Sequence, residues 1–139
     1  MFNLIKKNRV VLLLITVPVF ALLLTVFIKK AASHEKPKSL EQCWSLLELR
    51  LPPEEIQKFK SKQLNELEPY QHSFGVYIKK HWVVKGDPEL LTFFKSAGIQ
   101  SEDQITAIII DTFWRYLQNK PVDVEERIQH YIELENIGH

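Results

Sequence analysis

Cysteine is nearly absent. Cys43 is the only one in 139 residues, which excludes an intrachain disulfide framework and a cysteine-rich zinc site. Four glycines exclude collagenous and low-complexity chains. The sequence has no glycine-rich phosphate loop, no Gly-x-Ser-x-Gly elbow and no His-Glu-x-x-His pair. No internal repeat is visible, and no stretch alternates apolar and polar residues between turn signals, so strands are not expected. A surplus of charge is missing too, since the formal net charge is +1. The two ends differ, however. The first 30 residues hold Lys6, Lys7, Arg9, Lys29 and Lys30 and no acid, while the remainder holds 13 basic and 17 acidic side chains. A mildly acidic body lacks the basic surface that nonspecific nucleic-acid binding needs, so no nucleic-acid partner is expected. No cofactor or metal is expected either.

What the chain does have is one long apolar run. Val10 to Ile28 is 19 residues without a charge, fifteen of them Val, Leu, Ile or Phe. A helix of that length spans about 28 Å, close to the hydrocarbon thickness of a bilayer. The expected organisation is a basic tail over 1–9, a transmembrane helix over 10–28, a linker over 29–38 and a helical domain over 39–139. A cleaved signal peptide would have a shorter apolar region, and a buried core helix would need a polar face. The run therefore reads as a single-pass signal anchor in contact with membrane lipid. Lysines flank it on both sides, which leaves its orientation nearly tied, with a lean towards the body lying outside the cytoplasm.

From Ser39 the apolar period is helical. Ser39 and Gln42 form a capping pattern, and Leu40, Cys43, Trp44, Leu47 and Leu51 share a face. Pro52 ends this helix and Pro53 opens a short second one, with Ile56 and Phe59 inward. Residues 63–70 read as a connector broken by Pro69. A third helix is expected over about 72–83, with Phe74, Tyr77, Ile78, His81 and Trp82 sharing a broad face and Gly86 closing it, and Asp87-Pro88 starts a fourth that runs to Gly98. Ser101 and Gln104 open the most apolar helix, expected to run to about Asn119 and to sit at the centre. Asp123 and Glu126 cap the last, with Val124, Ile128, Tyr131 and Ile132 inward. The expected fold is all-α: five or six helices around the fifth, following the transmembrane segment.

Several residues over about 69–131 carry a family likeness. They are Gly75, Ile78, Trp82, Phe93-Phe94, Gly98-Ile99, Asp103, Ile108-Ile109-Ile110, Arg115-Tyr116-Leu117 and Lys120-Pro121. In this pattern the stretch resembles a bacterial domain-of-unknown-function family. Lys79-Lys80 stands where that family has Arg-Asn, and residues 102–106 replace its Pro-Asp-Asp-Met-Ser. The resemblance implies a helical domain and no established activity.

The side chains with the most chemical potential are few. Asp111 and Arg115 lie four apart on the central helix, so they share a face with the acid N-terminal to the base. They suit either a recognition site, with Arg115 gripping a carboxylate or phosphate beside Trp114, or a structural ion pair. Lys79, Lys80 and Lys85 with Trp82 could form a basic patch for anionic lipid or an acidic partner, or simply a solvated face. Asp123, Glu126, His130 and Glu133 make a stripe that one helix alone cannot turn into a metal site. Cys43 lies on an apolar face with no partner base. The candidate binding residues are therefore Lys79, Lys80, Trp82, Asp111, Trp114 and Arg115, with no catalytic residue assigned. Three functions emerge as expectations. The first is a membrane-anchored module that binds a protein partner, and the second is an immunity-type protein that neutralises a toxin. The third is an enzyme built on Asp111, Arg115 and a histidine such as His72 or His81.

Overall fold

A computed structural model describes residues 18, 19, 21–24 and 35–137. The chain divides into two units, 1–35 and 36–139. In the first, residues 18–19 and 21–24 are helical. Among the described residues no helix is long and apolar enough to cross a membrane. That corrects the expected transmembrane helix over 10–28. Apolar composition sets hydrophobicity, whereas a spanning segment also needs a helix long enough to cross the hydrocarbon, and none is present among the described residues. The rest of that run lies outside the described residues, as do most of the groups that would set lipid contact and sidedness.

The second unit is all-α. Its helices are α1 (Leu40–Arg50), α2 (Pro53–Lys60), α3 (Glu68–Gln71), α4 (Phe74–Ile78), α5 (Pro88–Ser96), α6 (Glu102–Leu117) and α7 (Val124–Ile137). A 3-10 turn covers Leu64–Glu66, and a π-helical segment covers Lys79–Val84. Seven α-helices among the described residues of this unit correct the expected five or six. The expected connector over 63–70 contains the 3-10 turn and the start of α3. Pro69 sits in the first turn of α3, where its missing N–H costs nothing, and so it starts a helix rather than breaking one.

The helix starts obey local chemistry. The Ser39 hydroxyl accepts from the Gln42 N–H, Asp87 from the Glu89 N–H, and Ser101 from the Gln104 N–H. The Gln42 side chain bonds the N–H of Lys38, one residue earlier than a regular capping box would place it. At the far ends, Gly98 takes φ +96° after α5 and Asn119 takes φ 53° after α6. Both residue types tolerate the left-handed region that such helix ends require.

Helix α6 is the centre. Every residue from Ile105 to Trp114 is buried. The helix packs against α1, α2, α3, α4, the π segment and α7. Burying each large apolar side chain contributes about 1.5–3 kcal/mol, so this one helix supplies much of the cohesion of the unit. Phe59 of α2 is fully buried among rings, with centroids 4.7 Å from Tyr70, 5.2 Å from Phe74 and 5.6 Å from Phe113. The polar groups buried on α6 have partners. Thr112 Oγ1 donates to the Ile108 carbonyl at 2.7 Å and accepts from Trp44 Nε1 at 3.1 Å. Thr106 Oγ1 donates to the Glu102 carbonyl at 2.8 Å.

Candidate functional site

Two concavities gather the chemistry. The first is a polar cleft of about 260 Å³ between the 3-10 turn, α3, α6 and α7. Leu64, Leu67, Ala107 and Ile110 supply its apolar wall, and Asn65, Glu68, Gln71, Asp111, Arg127, His130 and Tyr131 supply the polar groups. Asp111 is the buried charge, with 5% of its surface exposed. Arg115 Nε donates to its Oδ1 at 2.9 Å, one turn along α6. Arg127 of α7 brings Nη1 to 3.8 Å from Oδ2, and its Nη2 lies 2.6 Å from Glu126 Oε1. Two guanidiniums around one buried carboxylate tie α6 to α7 and remove the cost of burying the acid alone.

The Asp111–Arg115 pair expected from its spacing is therefore present, but Arg127 completes it. Sequence reasoning missed Arg127. The available signal was its position four residues before Tyr131, itself an inward residue, which places both on one face of α7. Burial pushes the Tyr131 phenol up to about 12, with the Asp111 charge adding to the rise while Arg127 and Arg115 oppose it. The histidine lining this cleft is His130, whereas His72 lines the second concavity and His81 stacks on Tyr77 at 4.5 Å.

The second concavity is a groove of about 400 Å³ along α4, the π segment and the start of α6. Lys79, Lys80, His72 and Asp103 supply its charge and polarity, and Val76 and Val84 its apolar surface. Lys79 Nζ donates to Asp103 Oδ1 at 2.9 Å, and this bond raises the lysine above its ordinary range. Gly75 lies at the base. A Cβ there would meet the Tyr70 carbonyl oxygen at 2.9 Å and Ile110 Cδ1 at 3.0 Å, so the close approach of α4 to α6 needs glycine.

The remaining expected residues lie apart. Trp82 is 1% exposed and belongs to the core rather than to a basic patch. The π segment carries Trp82 and Val83 inward while Lys80 and Val84 stay outside. Arg50 of α1 lies 5.2 Å from the Trp82 ring centroid. Lys85 is exposed and does not line the groove. Trp114 is buried, donates Nε1 to the Lys62 carbonyl at 3.0 Å, and carries Lys120 Nζ 4.5 Å above its ring. Cys43 is fully buried, and burial pushes its thiol far above the ordinary range. The stripe of Asp123, Glu126, His130 and Glu133 does not converge. Among the described residues no three His, Cys, Asp or Glu side chains form a group that could hold a metal ion.

An all-α unit with a central buried helix, a polar cleft and a lysine-edged groove defines a small helical domain. The chain belongs to the family described as domain of unknown function DUF6794, whose model matches residues 36–117. The match starts before the motif stretch seen in the sequence, taking in α1 and α2, and stops at the end of α6. Arg127, His130 and Tyr131 of the polar cleft therefore lie outside it. No curated protein and no solved structure matches the chain.

Proposed function

We propose that this chain is a protein-interaction module that holds an acidic, apolar-centred segment of a partner in the groove along α4 and the π segment. One observation carries the reading. Val76 and Val84 keep 56% and 51% of their surface exposed in the same groove that Lys79 and Lys80 line. Apolar side chains flanked by ammonium groups suit a partner that offers a Leu or Phe between carboxylates. The Asp111 cleft supports a binding rather than a catalytic role. Its one buried carboxylate is engaged by two guanidiniums and is not paired with a nucleophile.

The test uses the full-length chain and labelled peptides with a central Leu or Phe, flanked either by Asp and Glu or by Lys and Arg. Acidic peptides are expected to give saturable fluorescence polarisation that weakens with salt. Lys80→Glu should lower that affinity about tenfold, equivalent to about 1.4 kcal/mol. Equal binding of both peptide sets, or none of either, would overturn the reading.

A further inference from the structure

We infer that the Asp111 cleft is a binding site for a neutral polyhydroxylated ligand of one ring, a single sugar unit. The inference does not rest on the function proposed for the groove along α4, although Gln71 borders both concavities.

Charge comes first. Glu68 and Asp111 are the carboxylates of the cleft, and Arg127 is its guanidinium. Arg127 is committed to Asp111 and Glu126, so no free cation is left to hold a phosphate or carboxylate. Asp111 is matched by two guanidiniums, so no free buried anion is left to hold an amine. The other carboxylate, Glu68, is exposed to solvent, so a charged ligand would lose hydration while gaining at most a screened opposite charge. A neutral ligand does not meet that cost.

Hydrogen-bonding capacity comes second. Oδ1 of Asp111 is taken by Arg115, but Oδ2 meets Arg127 Nη1 only at 3.8 Å, beyond hydrogen-bond reach. A buried acceptor and a donor thus stand side by side with a gap between them. A hydroxyl both donates and accepts, and so can bridge such a pair. Gln71 lines the same cleft, and among the described residues its carboxamide makes no hydrogen bond to protein. A carboxamide presents one acceptor and one donor a short distance apart, which matches two neighbouring hydroxyls of a sugar. Tyr131 adds a phenol to the lining, which both donates and accepts.

Shape comes third. Leu67, Ala107 and Ile110 form a buried apolar wall for the C–H face of a ring. The volume of about 260 Å³ lies below the roughly 300 Å³ at which drug-sized pockets begin, and suits one ring rather than a chain of them.

The test is saturation-transfer NMR on the full-length chain with glucose, galactose and N-acetylglucosamine. Glucose 6-phosphate and glucosamine serve as the charged comparisons. At least one neutral sugar should show saturable transfer with a Kd on the order of 1 mM, usual for a single ring held by a few hydrogen bonds. Gln71→Ala, on the short and solvent-facing α3, should weaken it about tenfold. Tyr131→Phe should weaken it less, and Lys95→Ala, remote from the cleft, should leave it unchanged. A short oligosaccharide of the preferred sugar separates two sources of the ligand. Binding as tight as the monomer marks the end of a glycan, and weaker binding marks a free sugar; both support the inference. No saturable transfer from any neutral sugar would overturn it, as would transfer from the charged compounds alone or an affinity indifferent to both Gln71→Ala and Tyr131→Phe.

Discussion

Trp44 donates its indole N–H to Thr112 across 3.1 Å, joining α1 to the most deeply buried stretch of α6. Thr112 in turn donates to the Ile108 carbonyl, so the hydroxyl both accepts and donates inside an apolar core. A tryptophan on the first helix and a threonine on the central one thus solve each other's burial problem.

That pairing orders the three tryptophans. Trp44 and Trp114 each donate from Nε1, to Thr112 and to the Lys62 carbonyl. The Nε1 of Trp82 is buried with no partner. Replacement by Phe should therefore cost about 1 kcal/mol less at Trp82 than at Trp44, because only the latter change abolishes a bond and strands an acceptor. Urea midpoints of the three variants provide the comparison, and a Trp82→Phe loss equal to that of Trp44→Phe would contradict it.

Removing Asp111 should be more damaging than removing either arginine. Asp111→Ala leaves Arg115 and Arg127 facing each other without their shared acid, with side chains only 20% and 12% exposed. The expected loss is about 2–3 kcal/mol, below the full cost for a buried pair because both guanidiniums retain some solvent. A double change, Asp111→Ala with Arg127→Met, should recover part of it in a thermodynamic cycle.

Gly86 comes after the π segment, and a Cβ there would collide with the Trp82 carbonyl oxygen. Since the obstacle is backbone, no side-chain rotation relieves it. Gly86→Ala should destabilise the unit by about 2 kcal/mol or more, read from thermal unfolding by circular dichroism. A neutral effect would mean that the segment ends in another geometry.

Alkaline pH should weaken the fold through Tyr131. Its phenol titrates at about 12 in the folded chain against an ordinary 10.0. Between those values the folded state keeps a proton that the unfolded state has lost. Stability therefore falls as pH rises through this window and is fully present below it. Tyr131→Phe should flatten that part of the profile of urea midpoint against pH. A slope unchanged by the substitution would assign the loss to other groups.

Much of the fold is legible in the sequence because local chemistry decides it. Ser39, Asp87 and Ser101 announce three helix starts, and the isoleucine-rich stretch of α6 announces the centre. Two kinds of feature are not legible. The π segment has the same apolar spacing as an ordinary helix, so the pattern sets Trp82 on the apolar face with Ile78 but does not show the wider turn, and the basic patch drawn from Trp82 and the lysines fails. Arg127 pairs with Asp111 through tertiary folding, and spacing within one helix cannot report a partner on another. The apolar run over 10–28 is legible as composition, and most of it lies outside the described residues. Of the candidate residues, Asp111 and Arg115 are legible as a pair. Lys79 and Lys80 are legible as a surface, but with Val76 and Val84 as their apolar neighbours rather than Trp82.

A π turn holds one more residue than the same length of regular helix. Each residue of an α-helix turns the chain by about 100°, so Lys79–Val84 works as a rotational offset between α4 and the turn at Gly86. Shortening this segment by one residue would restore a uniform pitch and swing either the lysines or Val84 to another side. The composition of the groove would then change without any alteration in the identity of its residues.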